Sequence, residues 1–431
     1  MRFLGVSETC DLGSLYLRLI EDGHDVHVAI ADKAALGTMS GMVPRVDDWR
    51  AELPWIREAG REGVILFESV SEGLGSLQDA LRQDGYQVIG GSAYGDRLEN
   101  DRAYGQDLLA SLGFPAGHVW EFDDHAKADA FIAQHPKRYV LKLSGAAHTA
   151  NDTYVGQSHD GRDVRAMLRA RRYRGAKFIL MERIEGVEMG IGAYFDGDRF
   201  ITPACLDWEH KRFFAGDLGE LTGEMGTVAT FDRSEAFFDR TLALLEPRFR
   251  GKQHIGYVNL NTIVNAQGIW PLEFTCRFGY PGFAILDPLQ KTRWAELFRL
   301  MLKLETGSFV AHPGFSVGIV VTTPPFPYTR DAIDTPIGLP VLFDGEPTKH
   351  DTQNIHYGEV GMLDGQLVTS GLFGWTMVVT GVGSAIADAR RDAYERVARF
   401  TIPNARYRLD IGDRLISGDW DIIEQLGALS P

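Results

Sequence analysis

Short apolar runs alternate with amphipathic stretches over the first 95 residues. RFLGV, DVHVAI, VILFESV and YQVIGG are each bounded by polar or glycine residues. Between the last two lies SLQDALRQDGY, in which Leu77, Ala80 and Leu81 recur with helical spacing. Alternation of buried strands with amphipathic helices is typical of a parallel sheet that is covered on both faces. The pattern therefore predicts an N-terminal α/β domain over residues 1–95.

The pattern changes after this region. LENDRAYGQDLLASLGF is predicted to form one helix, because Tyr104, Leu108 and Leu112 share a face. Gly113 is a natural end for that helix, and Pro115 follows just beyond it. Both residues are typical helix stop signals.

Runs with strand character follow, namely RYVLKLS, KFILMER, MGIGAYFDGDRFI, GYVNLNTIV and GIWPLEFT. We expect a long loop over residues 206–228, a helix over 234–249 and a further helix over 292–305. Strands and helices are mixed here without regular alternation, which predicts an α+β domain over 96–310. A smaller α+β domain, 311–431, opens with FSVGIVVTTPPFPY and ends with the helical run SAIADARRDAYERVARF and the strand-like tail RYRLDIG.

The charge balance argues against two kinds of partner. Lys and Arg number 44 and Asp and Glu number 59, which gives a formal net charge of −15. A generic nucleic-acid-binding protein needs surplus basic residues to neutralise phosphates, and an anionic membrane surface attracts the same residues. We therefore expect no nucleic acid and no membrane among the partners. No run approaches the ~18 apolar residues that span a bilayer.

Cysteine usage indicates a reducing compartment. Cys10, Cys205 and Cys276 lie far apart in the sequence and have no metal-finger spacing. A sparse, odd number of cysteines in a long chain fits an intracellular protein. The apolar run at the N-terminus is also too short for a signal peptide. The sequence predicts a cytoplasmic protein.

One lysine lies in an apolar strand-like run. Lys142 is flanked by Leu141 and Leu143, and a buried ammonium group is costly unless it meets an anion. The following segment, SGAAHTANDTYVG, is built of small and polar residues that can fold over phosphates and offer N–H groups to them. A lysine at a strand edge whose ammonium group reaches water is the alternative.

Two further segments carry clustered charges. Glu182, Glu185 and Glu188 lie together in ERIEGVE, where carboxylates can accept hydrogen bonds from a ribose diol, and a solvated acidic turn is the alternative. Lys211 and Arg212 precede a glycine-rich stretch. Cations beside a flexible loop suit a phosphorylated intermediate or a carboxylate substrate. A solvated run of charges remains the alternative here.

The most informative segment is GYVNLNTIV followed by PLEFTCRFGYPG. Glu273 lies between two apolar residues and Arg277 follows four positions later. We expect the strand that carries Asn261 to pair with the strand of Glu273 as a hairpin around AQG. Two oxygen ligands facing each other across a hairpin suit Mg²⁺ bound to ATP, because Mg²⁺ takes few protein oxygens and several from phosphates. The alternative is a buried Glu273–Arg277 ion pair, which carries a large desolvation cost.

In this order, the segments resemble the ATP-grasp superfamily, and within it the phosphoribosylamine–glycine ligase (glycinamide ribonucleotide synthetase) family. The resemblance covers residues 85–415 and rests on YVLKLSG, ERIEGVE, EHKRF, TGEMG, LEFTCRFGYP and RYRLDIG. It implies an N-terminal α/β domain, a central unit that clamps ATP between two α+β lobes, and a C-terminal domain. It also implies a reaction in which ATP phosphorylates a carboxylate and an amine attacks the acyl phosphate to form an amide.

The resemblance implies a nucleotide-binding role for four residues. Arg102 stands where the family has a lysine that touches an ATP phosphate. Lys142 matches the strand lysine that holds the α and β phosphates. Glu182 lies at the adenine-binding hinge, and Glu188 matches the ribose-binding glutamate.

Three further residues match positions near the reacting groups. Lys211 and Arg212 match the HKR segment beside the substrate, and Arg277 matches an arginine near the γ-phosphate and the acyl phosphate. Cations there would offset the charge on the transferring phosphoryl group.

The metal-binding and substrate-binding segments depart from the family pattern. Glu273 matches a Mg²⁺ ligand, but Thr275 replaces the asparagine of the family's EFN, so that either Asn261 compensates or one metal site is lost. The turn GxGGREHA is SETCDLG here, RFGDPE is RFGYPG, and TNGGRV is TSGLFG. We expect the loop at residues 7–13 to face one substrate. Nucleotide-binding positions are mostly kept and substrate-binding positions are mostly changed, which favours altered substrates.

Two classes of function stay open. One is an ADP-forming carboxylate–amine ligase that uses ATP with Mg²⁺ or Mn²⁺ and joins a small carboxylate such as glycine to an amine. That enzyme would catalyse either the purine-pathway reaction or one with altered substrates. The other is a non-catalytic nucleotide-binding regulatory or scaffold protein. Either would be a monomer or a homodimer. A dehydrogenase is not indicated, because no G-x-G-x-x-G follows the first strand.

Overall fold

The computed structural model describes residues 1–68, 73–143, 153–169, 178–328 and 337–430. Most of the segment SGAAHTANDTYVG, which we expected to fold over phosphates, lies outside these ranges. Within them, no helix is long and apolar enough to cross a membrane.

The N-terminal part of the chain, which we predicted to be an α/β domain, is built on a five-stranded sheet with the order β3-β2-β1-β4-β5. Its strands are β1 (Arg2–Ser7), β2 (Asp25–Ile30), β3 (Arg45–Val46), β4 (Gly63–Phe67) and β5 (Gln87–Ile89). Its helices are α1 (Gly13–Glu21), α2 (Leu53–Glu58) and α3 (Leu74–Gln83). All strand pairs are parallel. Apolar side chains pack on both faces of the sheet. The predicted parallel α/β sheet is confirmed.

The single helix that we expected after residue 95 is two helices, α4 (Ala93–Asn100) and α5 (Arg102–Ser111). Asp101 lies between them with a non-helical φ of −96° and ψ of 86°. Its carboxylate accepts a hydrogen bond from the backbone N–H of Tyr104 at 3.1 Å. Aspartate favours such a cap over a position inside a helix. This break places Arg102 at the start of α5.

The next sheet is a small antiparallel one with the order β6-β9-β7-β8. Its strands are β6 (Val119–Phe122), β7 (Tyr139–Leu143), β8 (Thr153–Val155) and β9 (Phe178–Glu182), and its helices are α6 (His125–Gln134) and α7 (Arg162–Leu168). Tyr139 and Leu141 are buried in the core that the sheet shares with these helices. Because side chains alternate along a strand, Lys142 lies on the opposite face.

The largest sheet is antiparallel and has eight strands in the order β16-β15-β10-β11-β14-β17-β22-β19. In chain order the strands are β10 (Val187–Phe195), β11 (Phe200–Glu209), β12 (Arg212–Phe214), β13 (Leu218–Leu221), β14 (Gly226–Thr230), β15 (Gly256–Asn265), β16 (Gly268–Thr275), β17 (Phe315–Thr322), β18 (Leu342–Phe343), β19 (Ile355–Tyr357), β20 (Val360–Leu363), β21 (Gln366–Thr369), β22 (Trp375–Gly383) and β23 (Phe400–Thr401). Of these, β12–β13, β18–β23 and β20–β21 form separate two-stranded pairs. Strands from both sides of residue 310 share the large sheet, so it runs across our predicted boundary between 310 and 311.

Three expectations for this part of the chain are wrong in detail. The stretch 206–228 is not one long loop, because it contains the end of β11, the β12–β13 hairpin and the start of β14. The helix expected over 234–249 is interrupted at Thr241, whose hydroxyl group donates to the carbonyl of Phe237. The tail RYRLDIG forms no strand and makes only an isolated antiparallel bridge between Arg406 and Thr322. Its Arg408 is buried and bonded to Asp217 and Asp410.

The remaining helices are α8 (Glu235–Asp239), α9 (Leu242–Phe249), α10 (Gly282–Leu286), α11 (Trp294–Met301), α12 (Lys349–Gln353), α13 (Ile386–Val397) and α14 (Trp420–Gln425). Helix α11 lies within the predicted range 292–305, and α13 lies within the predicted C-terminal helical run. The helix α13 packs on β17 and β22, which covers one face of the large sheet there.

The N-terminal domain meets the large sheet at a close backbone contact. The N–H of Gly90 donates to the carbonyl of Ile255 at 2.8 Å, and a Cβ on Gly256 would lie 1.8 Å from the carbonyl oxygen of Gly90.

We expect Gly256→Ala to lower the free energy of unfolding by about 2 kcal/mol, which is the usual cost of adding a methyl group where there is no space for it. Urea unfolding measures this. Gly282→Ala, where a Cβ would meet nothing within 4 Å, is the control, and an equal loss in both variants would contradict the prediction.

Candidate active site

The predicted hairpin is confirmed and brings two candidate residues face to face. Strands β15 and β16 pair antiparallel, with Asn261 directly opposite Glu273. The amide of Asn261 also donates to Oε1 of Glu188 at 3.0 Å, since Glu188 lies on the neighbouring strand β10. Three candidate residues from separate segments of the sequence therefore lie on adjacent strands of the large sheet.

Lys211 lies at the centre of this cluster. Its ammonium group is 3.0 Å from Glu273, 3.1 Å from Glu209 and 3.4 Å from Glu188. Burial by itself would lower the pKa of Lys211, but the three carboxylates outweigh it and hold the pKa well above its usual value. The same ammonium group lowers the pKa of Glu273. Lys211 is therefore a permanent cation that neutralises part of an acidic cluster.

The alternative Glu273–Arg277 ion pair is not formed. The guanidinium of Arg277 instead donates from Nε to Oε1 of Glu99 at 3.2 Å, and the backbone N–H of Cys276 donates to the other oxygen of Glu99. Glu99 lies on α4, so it orients Arg277 from a helix that the sequence places 178 residues earlier. Sequence reasoning missed Glu99 because nothing local marks so distant a partner.

Lys142 and Arg102 approach the cluster from the other side. Burial lowers the pKa of Lys142 to about 8, helped by the cations of Arg102 and Lys211, while Glu273 acts in the opposite direction. These groups are close enough to influence one another, although they come from β7, the start of α5, the large sheet and the segment after β11. The structure thus brings the side chains of Lys142, Arg102 and Lys211 near one another from separate parts of the chain. A group of cations of this kind is suited to binding phosphate groups.

Two candidate residues lie at the edge of this group. Glu182, at the end of β9, accepts a hydrogen bond from the ammonium of Lys137 at 2.9 Å. The guanidinium of Arg212 donates to the carbonyl of Gly219 in the β12–β13 hairpin at 2.8 Å. In the part of the chain that is described, no direct bond joins either side chain to the Lys211 cluster.

A cavity of about 550 Å³ opens beside the cluster. Glu273, Thr275 and Arg277 line it from the large-sheet side. Residues 7–9 and Asp11 line it from the N-terminal domain, so the loop that we expected to face a substrate does face this cavity. A volume of this size is typical of small-molecule sites.

The cavity also contains buried carboxylates that sequence reasoning missed. Asp207 accepts a hydrogen bond from the Asn259 amide at 2.6 Å, and burial together with Glu209 raises its pKa to about 8. Glu224 accepts a hydrogen bond from the Thr227 hydroxyl, and burial raises its pKa well above the usual value. Each residue was part of an ordinary strand or loop pattern, and only the pairing of distant strands brings them together.

The expected Mg²⁺ ligands form a sparse donor set. Glu273 supplies a carboxylate, Asn261 an amide oxygen and Thr275 a hydroxyl. The described residues contain no group of three or more His, Cys, Asp or Glu side chains arranged to hold a metal ion. This set fits a Mg²⁺ ion that takes one or two protein oxygens and the rest from nucleotide phosphates and water.

The buried carboxyl group of Glu68, at the N-terminal side of the cavity, should make the stability of the protein depend on pH. Burial raises the pKa of Glu68 to about 7, with Asp11 adding to the shift, whereas an unfolded glutamate titrates near 4.3. Between these two pKa values the folded protein therefore binds more protons than the unfolded protein. Its free energy of unfolding falls as the pH rises from about 4.5 to 7. We expect this loss to be smaller in Glu68→Gln by up to about 3 kcal/mol. Denaturant unfolding of both proteins across this range measures it, and parallel pH profiles would contradict it.

Known proteins share sequence similarity with most of this chain. Residues 100–283 match the family model described as phosphoribosylglycinamide synthetase, ATP-grasp (A) domain. The chain is 26% identical over 400 residues to a phosphoribosylamine–glycine ligase of Nostoc sp., with 89% of this chain and 91% of that protein covered. It is 27% identical over 369 residues to the Streptomyces coelicolor protein of the same name, with 82% and 85% covered.

Solved structures show the same fold. The crystal structure of phosphoribosylamine–glycine ligase from Thermotoga maritima superposes with a TM-score of 0.67 at 20% identity, covering 95% of this chain and 100% of that one. The biotin carboxylase subunit of pyruvate carboxylase superposes with a TM-score of 0.57 at 10% identity, covering 99% and 98%. The resemblance expected from the sequence is confirmed. Residues 100–283 match an ATP-grasp domain, and the chain as a whole is similar to the phosphoribosylamine–glycine ligases.

Proposed function

We propose that this protein is an ADP-forming carboxylate–amine ligase that makes an amide through an acyl phosphate. One observation carries the proposal. Lys142 and Arg102 on one side and Lys211, Glu273 and Glu188 on the other form a charged cleft, and the cleft adjoins a cavity large enough for small substrates. We propose that three domains build this cleft and its surroundings, namely an N-terminal α/β domain (1–95), an ATP-grasp domain (96–310) and a C-terminal domain (311–431), the last two joined through the large sheet.

The chain's own groups have separable roles in this scheme. Lys142 and Arg102 hold ATP phosphates, because cations in a partly buried cleft offset their charge. Glu188 accepts hydrogen bonds from the ribose, and Glu182 lies at the adenine edge. Bound Mg²⁺, or Mn²⁺ in its place, would be held by Glu273 with Asn261 and Thr275, and would neutralise phosphate charge.

The residues nearer the cavity act on the carboxylate. Arg277 is oriented by Glu99 and lines the cavity, so it can stabilise the acyl phosphate as the transferring phosphoryl group gathers charge. Lys211, which pairs with Glu273 of the cavity lining, and Arg212, at the start of β12, are the proposed substrate-binding cations. The amine, in its neutral form, then attacks the acyl carbon, the C–O bond to phosphate breaks, the nitrogen loses a proton, and the amide and inorganic phosphate leave.

The proposed substrates are a small carboxylate such as glycine and an amine, in a cytoplasmic protein that is a monomer or a homodimer. The relatives named phosphoribosylamine–glycine ligase support the purine-pathway pair. The replaced segments SETCDLG, RFGYPG and TSGLFG support a different pair. Both pairs share the same activation of a carboxylate by ATP.

The experiment follows ADP and phosphate release with Mg-ATP, glycine and freshly generated phosphoribosylamine, and then with a panel of other amino acids and amines. We expect release that requires both a carboxylate and an amine, with amide formation confirmed by mass spectrometry. Tight binding of Mg-ATP without release on any pair would contradict the ligase and favour the second candidate, a non-catalytic nucleotide-binding protein. Arg102 and Thr275, which depart from the family pattern, are the observations that favour that candidate.

A further inference from the structure

We infer that the amine substrate of this cavity is an unphosphorylated, cationic amine with an apolar body. This inference rests on the proposed function and names the substrate class of the same site. Three features of the cavity carry it, namely an internal carboxylate at the start of α1, an excess of acidic side chains, and an aromatic wall.

The first feature is the position of Glu68. Its carboxylate accepts hydrogen bonds from the Ser7 hydroxyl at 2.7 Å, from the backbone N–H of Leu12 at 3.1 Å and from the Tyr16 hydroxyl. Leu12 immediately precedes α1, where free N–H groups and the helix dipole would otherwise attract an anion. An internal carboxylate thus takes the place at which a phosphate ester would be held.

The rest of that loop is also bonded internally. The N–H of Cys10 donates to the Ser7 hydroxyl oxygen at 2.6 Å, and the N–H of Gly13 donates to the carbonyl of Cys10 at 3.1 Å. The Thr9 hydroxyl donates to Asp11 at 2.7 Å. These donors are engaged within the loop, so a phosphate would have to displace existing bonds beside a buried carboxylate.

The second feature is the charge of the lining. Among the described residues, seven acidic side chains and one arginine face the cavity. Glu8, Asp11 and Glu68 lie on the N-terminal side, and the other four acidic residues belong to the large-sheet side described above. On the large-sheet side, Glu209 and Glu273 pair with Lys211, and Arg277 pairs with Glu99. The described N-terminal lining includes no Lys or Arg. A dianionic phosphate placed against that side would therefore meet carboxylates at short range, whereas an ammonium group would be attracted.

The third feature is the apolar wall. Phe278, Phe283 and Ile285 line the cavity from the core side and are almost fully buried. Tyr280 and Trp375 also line it, and their rings stack with centroids 5.2 Å apart at 28°. Aromatic faces bind ammonium groups and apolar bodies alike. The Tyr280 hydroxyl and Trp375 indole N–H are buried, and neither has a hydrogen-bond partner among the described residues.

Calorimetry on the full-length protein tests the inference, with the non-hydrolysable nucleotide Mg-AMPPNP already bound. The probes are phenethylamine, isoamylamine, ethanolamine, O-phosphoethanolamine and ribose 5-phosphate. We expect phenethylamine and isoamylamine to bind at least tenfold more tightly than ethanolamine. We expect O-phosphoethanolamine, which differs from ethanolamine by its phosphate, to bind more weakly still, as does ribose 5-phosphate. The two apolar amines should also support ADP release with an amino acid.

Two variants give independent readouts. Trp375→Leu should weaken phenethylamine binding by about tenfold and leave Mg-AMPPNP affinity unchanged. At pH 8, where the Glu68 carboxylate is charged, Glu68→Gln, which keeps the side-chain shape, should improve ribose 5-phosphate binding several-fold, because it removes the competing charge. Tighter binding of ribose 5-phosphate than of phenethylamine to the unaltered protein would overturn the inference. So would turnover with phosphoribosylamine alone, although that outcome would leave the proposed ligase standing. Failure to bind Mg-AMPPNP would instead overturn the proposed function.

Discussion

Replacing Lys142 with methionine is expected to reduce ADP release on the order of 10²–10³-fold, the usual loss when one preorganised group that stabilises charge is removed. Methionine matches the aliphatic part of lysine, so β7 should keep its place in the small sheet. The lost group is the ammonium itself. Its pKa is already lowered to about 8 by burial and by Arg102 and Lys211, because these cations repel one another until an anion is present.

The same shift gives this prediction a pH dependence. A lysine that is charged only below about pH 8 loses its attraction for phosphate above that value, so Mg-ATP affinity of the unaltered protein should weaken as the pH rises through 8. Bound phosphate favours the charged form and raises the pKa of Lys142, so ATP binding near pH 8 to 9 should take up a proton. Calorimetry in buffers with different ionisation enthalpies measures this uptake, and the methionine variant should lack it.

Lys127→Met provides the matched control. Lys127 is an exposed lysine on α6 of the same lobe, with Asp123 3.9 Å away. Such a pair contributes little, and ADP release should be unchanged. If Lys142→Met kept full ADP release, or lost it together with the folded state, Lys142 would not be the phosphate ligand that we propose. A variant that only binds ATP more weakly and has no turnover to lose would favour the non-catalytic candidate.

The elements that were predicted well are those encoded locally. The parallel N-terminal sheet follows from short apolar runs separated by helices, and the β15–β16 hairpin follows from two strand-like runs joined by a short turn. Asn261 and Glu273 therefore met as predicted. The resemblance to a known family added residues such as Lys142 and Glu188, whose local pattern alone left other interpretations open.

What was missed depends on long-range pairing or on short polar elements. The strands of the β12–β13 hairpin are only three and four residues long and lie among glycine and charged residues, so this segment looked like a loop. Glu99, Glu68 and Asp207 contact partners 52 to 178 residues away, and nothing in their own segments marks them. The interruption at Asp101 came from one capping hydrogen bond, which outweighs the continuous helical spacing around it.

Lys211 is the residue whose loss should cost stability and activity together. Its side chain is only 20% exposed, and its ammonium group is shared by Glu188, Glu209 and Glu273. Lys211→Met leaves three carboxylates facing one another with no cation between them. Removing one partner from a buried ion pair costs about 3 kcal/mol or more. We expect a loss of this size in the free energy of unfolding, measured by urea, together with loss of ADP release.

A second change separates the charge effect from a packing effect. If repulsion among the carboxylates is the cause, Glu209→Gln in the Lys211→Met background should restore part of the lost stability, and the two changes should be non-additive. The single Lys211→Met variant should also become more stable relative to the unaltered protein as the pH falls from 7 toward 5. The reason is that its uncompensated carboxylates have raised pKa values and take up protons in the folded state.

Lys303→Met is the control for the loss of one lysine from an ion pair. Lys303 is about half exposed; it pairs with the exposed Asp198 and lies 3.7 Å from Asp196, which also accepts hydrogen bonds from the backbone N–H groups of Asp198 and Arg199. Its loss should therefore cost less than about 1 kcal/mol. Equal destabilisation of the two variants would contradict a special role for Lys211.

ATP phosphates and Mg²⁺ would bind beside Glu273. The three carboxylates that now pair with the Lys211 ammonium group would then have to change their ion-pair partners. Lys211→Met should therefore abolish ADP release even under conditions, such as pH 6, where the variant remains folded.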